Sequence, residues 1–209
     1  YYENSEDLNV NSRFYPLVAT PLVVFYKDNV WHISPLLVID KDAPSDSVTQ
    51  FLDYYDPDSI FEFPGGDIEK ISRDVARMFW NRSDVILVIE NSDSGYELGL
   101  MAIPLASYLD IPVIVGNPGD VIEELDCNFI ILVGNVTIPD IPFIKLSGRD
   151  MVLRYVLTIC KAKFGNVGYI VLTNPLDSRP IKVKAKHDLL NVTGVAEGRS
   201  KYLVSDGNY

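Results

Sequence analysis

The sequence predicts an α/β protein: a doubly wound, mainly parallel sheet in a three-layer αβα arrangement, built from about two tandem repeats. Three observations carry this. From residue 60 onward, short apolar runs alternate with stretches of helical periodicity. The apolar runs are continuous rather than alternating, which marks strands buried on both faces. The chain also matches itself at an offset of 83 residues. Strands alternating with helices imply parallel pairing through right-handed crossovers.

The elements follow in order. Residues 13–26 read as a helix and Lys27-Asp28-Asn29 as a turn. A strand is expected at 30–33 or at 35–39, with the second preferred. A polar loop over 40–46 leads to a helix over 48–54, capped by Ser45 or Asp46. Residues 60–63 form a short strand closed by Pro64-Gly65-Gly66. Asp67 then caps a helix in which Ile68, Ile71, Val75, Met78 and Phe79 recur at helical spacing. Strands are expected at 85–89, 112–115, 128–133, 142–146 and 169–173, and helices at 95–109, 121–125 and 150–164. After residue 177 the pattern fades, with an exposed strand expected at 181–185 and another at 202–205.

The repeat rests on Asp67 and Asp150, each after a strand and a glycine. At the same spacing Gly65 meets Gly148, Val88 meets Val171, and Asn91 meets Asn174. Pro21 meets Pro104. A helical proline costs about 3 kcal/mol through its lost N–H and its clash with the preceding turn, so chance seldom repeats one in register. The match needs gaps between Asn29 and Asp56, and the expected organisation is a permuted first unit over 13–95 with a diverged beginning, a second over 96–178, and an extension over 179–209 that leads into further sequence.

A net charge of −11 over 209 residues repels phosphate backbones and anionic headgroups. Nucleic acid and membrane surfaces are therefore excluded as expected partners. The longest mainly apolar stretch, 16–26, falls far short of the roughly 20 residues that span a bilayer. The chain starts at Tyr1 rather than Met and ends without a closing element, as a piece of a longer protein whose signal peptide has been removed would. Cys127 and Cys160 both have apolar neighbours and read as buried free thiols, although a secreted context permits a disulfide.

Catalytic motifs are scarce. The sequence contains no G-x-S-x-G, H-E-x-x-H or Walker loop, and its two histidines, His32 and His187, have no catalytic setting. Pro64-Gly65-Gly66-Asp67 stands where a phosphate loop would, but Asp67 puts a carboxylate on the helix terminus that a phosphate needs. Ligands of open α/β sheets bind beyond the carboxyl ends of the strands. The candidates there are Asn91, Asp93, Ser94, Glu97, Asn174 and Asp177, short polar groups suited to a sugar or a calcium ion and equally suited to turns and caps. The acidic clusters Asp40, Asp42, Asp46 and Asp53, Asp56, Asp58 lack EF-hand spacing and read as solvated loops. No metal site and no cofactor is expected. Sequons at Asn81, Asn135 and Asn191 fall in expected loops, where a glycan is tolerated.

Several segments resemble the second type of cell-wall-binding repeat of secreted bacterial and archaeal proteins. Leu146-Ser147-Gly148-Arg149-Asp150 looks like the opening segment of that repeat. The turn and helix start resemble Asp93-Ser94-Gly95-Tyr96-Glu97, and Pro104-Leu105-Ala106 resembles its Pro-Leu-Ala. Ile111-Pro112-Val113-Ile114-Val115 and Phe129-Ile130-Ile131-Leu132-Val133-Gly134 look like its last two strands. The resemblance implies an extracellular, non-enzymatic module held to a cell-envelope polymer or a surface-layer protein, through repeats packed together or a homo-oligomer. Read from the residues alone, a Rossmann-like ligand binder or enzyme using the strand-end loops stays open, as does a purely structural domain.

Overall fold

A computed structural model describes residues 12–37, 46–62 and 66–167. The chain divides into two units, 1–167 and 168–209, and all the described residues lie in the first. The expected strands at 169–173, 181–185 and 202–205 fall outside the described residues.

A single 3-10 turn, Ser12–Phe14, leads into α1, Tyr15–Val23. The chain then turns back on itself in a hairpin of β1, Val24–Lys27, and β2, Val30–Ile33. Its corner residues Asp28 and Asn29 have φ of 51° and 63°, left-handed values that suit a two-residue hairpin and that Asp and Asn tolerate. This corner explains two departures from expectation. The helix stops at Val23 because residues 24–27 are claimed by the hairpin, and the strand is 30–33 rather than the preferred 35–39, of which 35–37 are described and are not strand.

The amphipathic α2, Asp46–Tyr55, follows, and then α3, Ile68–Phe79. Asp67 caps α3 as expected, its side chain accepting from the Glu69 N–H at 3.1 Å. Residues 60–62 are not strand. The remaining elements are β3, Val85–Ile89; α4, Asp93–Ala102; α5, Pro104–Leu109; β4, Val113–Val115; α6, Val121–Glu124; β5, Phe129–Val133; β6, Phe143–Leu146; and α7, Arg149–Phe164. The expected single helix over 95–109 is divided because Pro104 lacks the N–H that would continue α4 and instead begins α5. Asp150 lies in the first turn of α7, whose N-cap is Gly148 with no side-chain cap, so the acidic cap at Asp67 has no twin.

β3 to β6 form a four-stranded, fully parallel sheet in the order β4-β3-β5-β6. Side chains alternate between its faces. Leu87, Ile89, Val113, Val115, Ile131 and Val133 pack with α1, α3, α4, α5 and α7 in the larger core. Ile86, Val88, Ile114, Ile130 and Leu132 pack on the other face beneath α6, Ala76 and the 136–141 segment. The sheet is therefore enclosed by a thick and a thin layer, as a doubly wound α/β fold requires. The free edge of β4 is covered by α3, whose Ser72 hydroxyl accepts the Val115 N–H at 3.0 Å.

Tandem repeats are not shown. Over residues 29–56, where the self-match needs gaps, an ungapped offset of 83 would set the buried strand β5 against the beginning of helix α2 and the edge strand β4 against the exposed β2. The expected unit boundary at 95/96 also falls inside one sheet, since β3 pairs with both β4 and β5. Cys127 is buried and Cys160 only half-buried, and both are free.

Because Ile131 is buried in the larger core, Ile131→Ala is expected to cost about 2–5 kcal/mol in urea denaturation. Phe143→Ala, on the exposed edge strand, is expected to cost under about 1 kcal/mol in the same denaturant titration. A pH dependence also follows. Burial raises the pKa of Cys127, Tyr108 and Tyr155, and the hydrogen bond to Asp110 raises that of Lys27. Each group holds its proton more tightly when folded. Its contribution is complete below the unfolded pKa and is lost as pH rises past it. The urea midpoint is expected to fall above about pH 8.5, where thiols begin to ionise, and further above about pH 10, with no rise in that range.

Candidate functional site

The order β4-β3-β5-β6 reverses direction between β3 and β5, so a crevice is expected where their carboxyl ends diverge. Glu90 directly follows β3. Its N–H donates to the Val133 carbonyl at 2.9 Å, and its carboxylate reaches across to accept the Asn135 N–H, also at 2.9 Å. Gly134 makes the crossing possible: its φ is 89°, and a Cβ there would run into the Glu90 carboxylate. The Gly134 N–H is itself engaged, with the Leu146 carbonyl at 3.2 Å.

The end of β4 repeats the pattern with another acid. Gly116, with φ of 71°, lies under the Glu69 carboxylate from the first turn of α3, and its N–H donates to the Ile89 carbonyl at 2.8 Å. Asn91 joins this group by donating its side-chain amide to Glu69 Oε1 at 3.1 Å. Ser92 caps α4, its hydroxyl accepting the Gly95 N–H at 3.0 Å, and Gly95 is required because a Cβ would strike the Glu90 carbonyl. The amides of Glu90, Gly116, Gly134 and Asn135 are thus all taken by the protein's own carbonyls and carboxylates. An incoming anion would have to displace Glu90 and stay beside Glu69.

The structure therefore brings Asn91 into a hydrogen-bonded cluster and leaves the other candidates around its margin. Asp93 is exposed and ion-paired with Arg13, whose guanidinium also lies 4.7 Å from the centre of the Tyr96 ring. Ser94 is exposed in the first turn of α4. Glu97 pairs with Arg149 at 2.8 Å, tying α4 to the start of α7. Asn174, Asp177 and Asn191 lie outside the described residues. Asn81 and Asn135 are exposed, and Asn135 Oδ1 accepts from Lys145 Nζ at 2.9 Å. His32 stacks on Phe25 in the hairpin with ring centres 4.7 Å apart, a packing role. Among the described residues no group of three or more His, Cys, Asp or Glu could hold a metal ion, and no helix is long and apolar enough to cross a membrane.

Sequence reasoning missed Glu69 and Glu90. The available signal was the glycine directly after β4 and again after β5, since a glycine ending a buried strand marks a close approach. A second concavity lies elsewhere. An open cleft of about 550 Å³ separates α2 from the body of the unit, between α1, the chain after β2, residues 56–62 and the end of α3.

No protein-family model matches the chain, and neither does any curated protein or solved structure.

Glu90 and Gly134 should behave as one unit. Gly134→Ala is expected to destabilise by more than about 1 kcal/mol, through its left-handed backbone and the collision with Glu90. Combining it with Glu90→Ala should restore part of that loss, with a coupling of at least about 0.5 kcal/mol in a double-mutant cycle by urea denaturation. Strict additivity would contradict the contact.

Proposed function

We propose that this chain is a non-catalytic binding or structural module of the cell envelope, held to an extracellular wall polymer or surface-layer protein. The observation that carries this reading is the closed switch-point crevice. An open α/β enzyme keeps free donors beyond its central strands for the substrate or cofactor. Here the Asn135 amide is spent on Glu90, and Asn91 on Glu69. The polar strand-end groups work within the fold, which leaves its surfaces for partners.

The secondary structure of the segments that resemble the wall-binding repeat supports the reading. Asp93-Ser94-Gly95 opens α4, and Pro104-Leu105-Ala106 begins α5. Val113–Val115 is a buried edge strand, and Phe129–Val133 ends at the glycine beneath Glu90. Exposed sequons at Asn81 and Asn135 suit an extracellular setting.

The test is co-sedimentation of the full chain with an insoluble wall fraction and with purified surface-layer protein. Saturable association that soluble wall polymer or soluble surface-layer protein competes away is expected. Association with neither, or tight one-to-one binding of a nucleotide or dinucleotide with chemical-shift changes at Glu90 and Gly134, would contradict the reading and favour a small-ligand protein acting at the strand ends.

A further inference from the structure

The cleft beside α2 combines features that the strand ends lack. α2 places Val48, Phe51, Leu52 and Tyr55 on one face at helical spacing, yet none of its residues is buried. Phe51, Leu52 and Tyr55 line the cleft instead of closing onto the body. The facing wall holds Leu22 and Val23 of α1, Leu36, Phe61 and Phe79. An apolar helix face that stops short of an apolar wall leaves both sides without their full dispersion contacts. Leu36, Phe61, Phe79 and Tyr55 are 41–49% exposed as a result.

The aromatic rings are arranged in pairs. Phe51 stacks on Tyr55 with centres 5.4 Å apart, and Phe61 meets Phe79 edge to face at 5.0 Å. The rim is acidic. Asp56, Asp58 and Glu62 line the opening, and no basic residue is among the described residues that form the cleft. None of these three carboxylates has an ion-pair partner among the described residues, whereas Asp74, Asp84, Asp93, Glu97, Asp110 and Asp120 each do.

We infer that this cleft binds a small organic cation, an ammonium group carried on an aromatic or aliphatic body. Ring faces attract a cation through their quadrupole, and a quaternary ammonium meets them with little desolvation penalty. The carboxylates supply the opposing charge at the mouth, while the apolar walls take the body of the ligand. The volume is within the range of pockets that hold drug-sized molecules. An anion of the same shape meets three carboxylates that have no ion-pair partner, and no basic residue, among the described residues. This inference goes beyond the envelope reading and does not rest on it, because the cleft shares no residue with the strand ends.

The experiment uses the full chain and benzyltrimethylammonium as the probe, followed by amide chemical shifts. Benzenesulfonate and benzyl alcohol serve as the anionic and neutral counterparts. Saturable shifts at Phe51, Tyr55, Phe61 and Phe79 are expected with millimolar cation, weaker ones with the alcohol, and none with the sulfonate. Phe51→Leu or Phe79→Leu should each weaken the cation by about three- to fivefold. The triple variant Asp56→Asn, Asp58→Asn, Glu62→Gln should reduce the preference for cation over alcohol, leaving only the part that the rings supply. Asn tolerates the left-handed φ of 47° at position 56, so this variant retains the fold. Equal binding of sulfonate and ammonium, shifts confined to other regions, no saturable shift, or a preference for cation over alcohol that the triple variant leaves undiminished would each overturn the inference.

Discussion

Everything in this unit is built around β3, a strand with a neighbour on each side and a core on each face. Parallel pairing on both sides obliges the chain to cross over the sheet between strands, and α4, α5 and α6 are the means of crossing. Burial on both faces obliges the strand to be apolar throughout, which Val85-Ile86-Leu87-Val88-Ile89 satisfies. The carboxyl end of β3 is then the one place where the chain must become polar while still surrounded by protein. Glu90, Asn91 and Ser92 resolve this by bonding to neighbouring strand ends and to the start of α4.

That resolution bears on function. The fold exposes amides where the strand order reverses, and in this chain acidic side chains take that position. Two glycines with left-handed backbones give Glu69 and Glu90 their room, so sterics and electrostatics act together. The strand-end cluster is therefore part of the framework. A second concavity lies beside α2, where aromatic rings and the carboxylates of Asp56, Asp58 and Glu62 line an open cleft. A module anchored through its surface and a small cationic ligand held beneath one helix are compatible uses of the same fold.

The parallel sheet was legible because its signal is strong and local. Five-residue apolar runs bounded by Pro, Gly or Asp leave few alternatives, and the Asp67 cap precedes an uninterrupted helical stripe. The region before residue 60 was harder. Residues 24–26 continue the apolar run of α1, and only the left-handed pair Asp28-Asn29 shows that the chain doubles back. The self-match at 83 residues is a weaker kind of signal. Gly, Pro and an acidic helix start recur in any chain of βαβ units, so local similarity alone does not show that two stretches are copies. At the candidate site, Asn91 was legible as a strand-end polar residue. Its partner Glu69 comes from a different element, and Glu90 acts beyond the end of β5, so the strand-end glycines mark a close approach without naming the acid that makes it.

The most direct measurement of the central claim, that Glu90 closes the switch point, is amide hydrogen exchange at Asn135. In the native chain this amide should be protected by the carboxylate, although it lies in an exposed turn beyond β5. Glu90→Ala should release it while leaving the protection of Ile131 within the strand unchanged. Exchange at Asn135 that is the same with and without Glu90 would contradict the account.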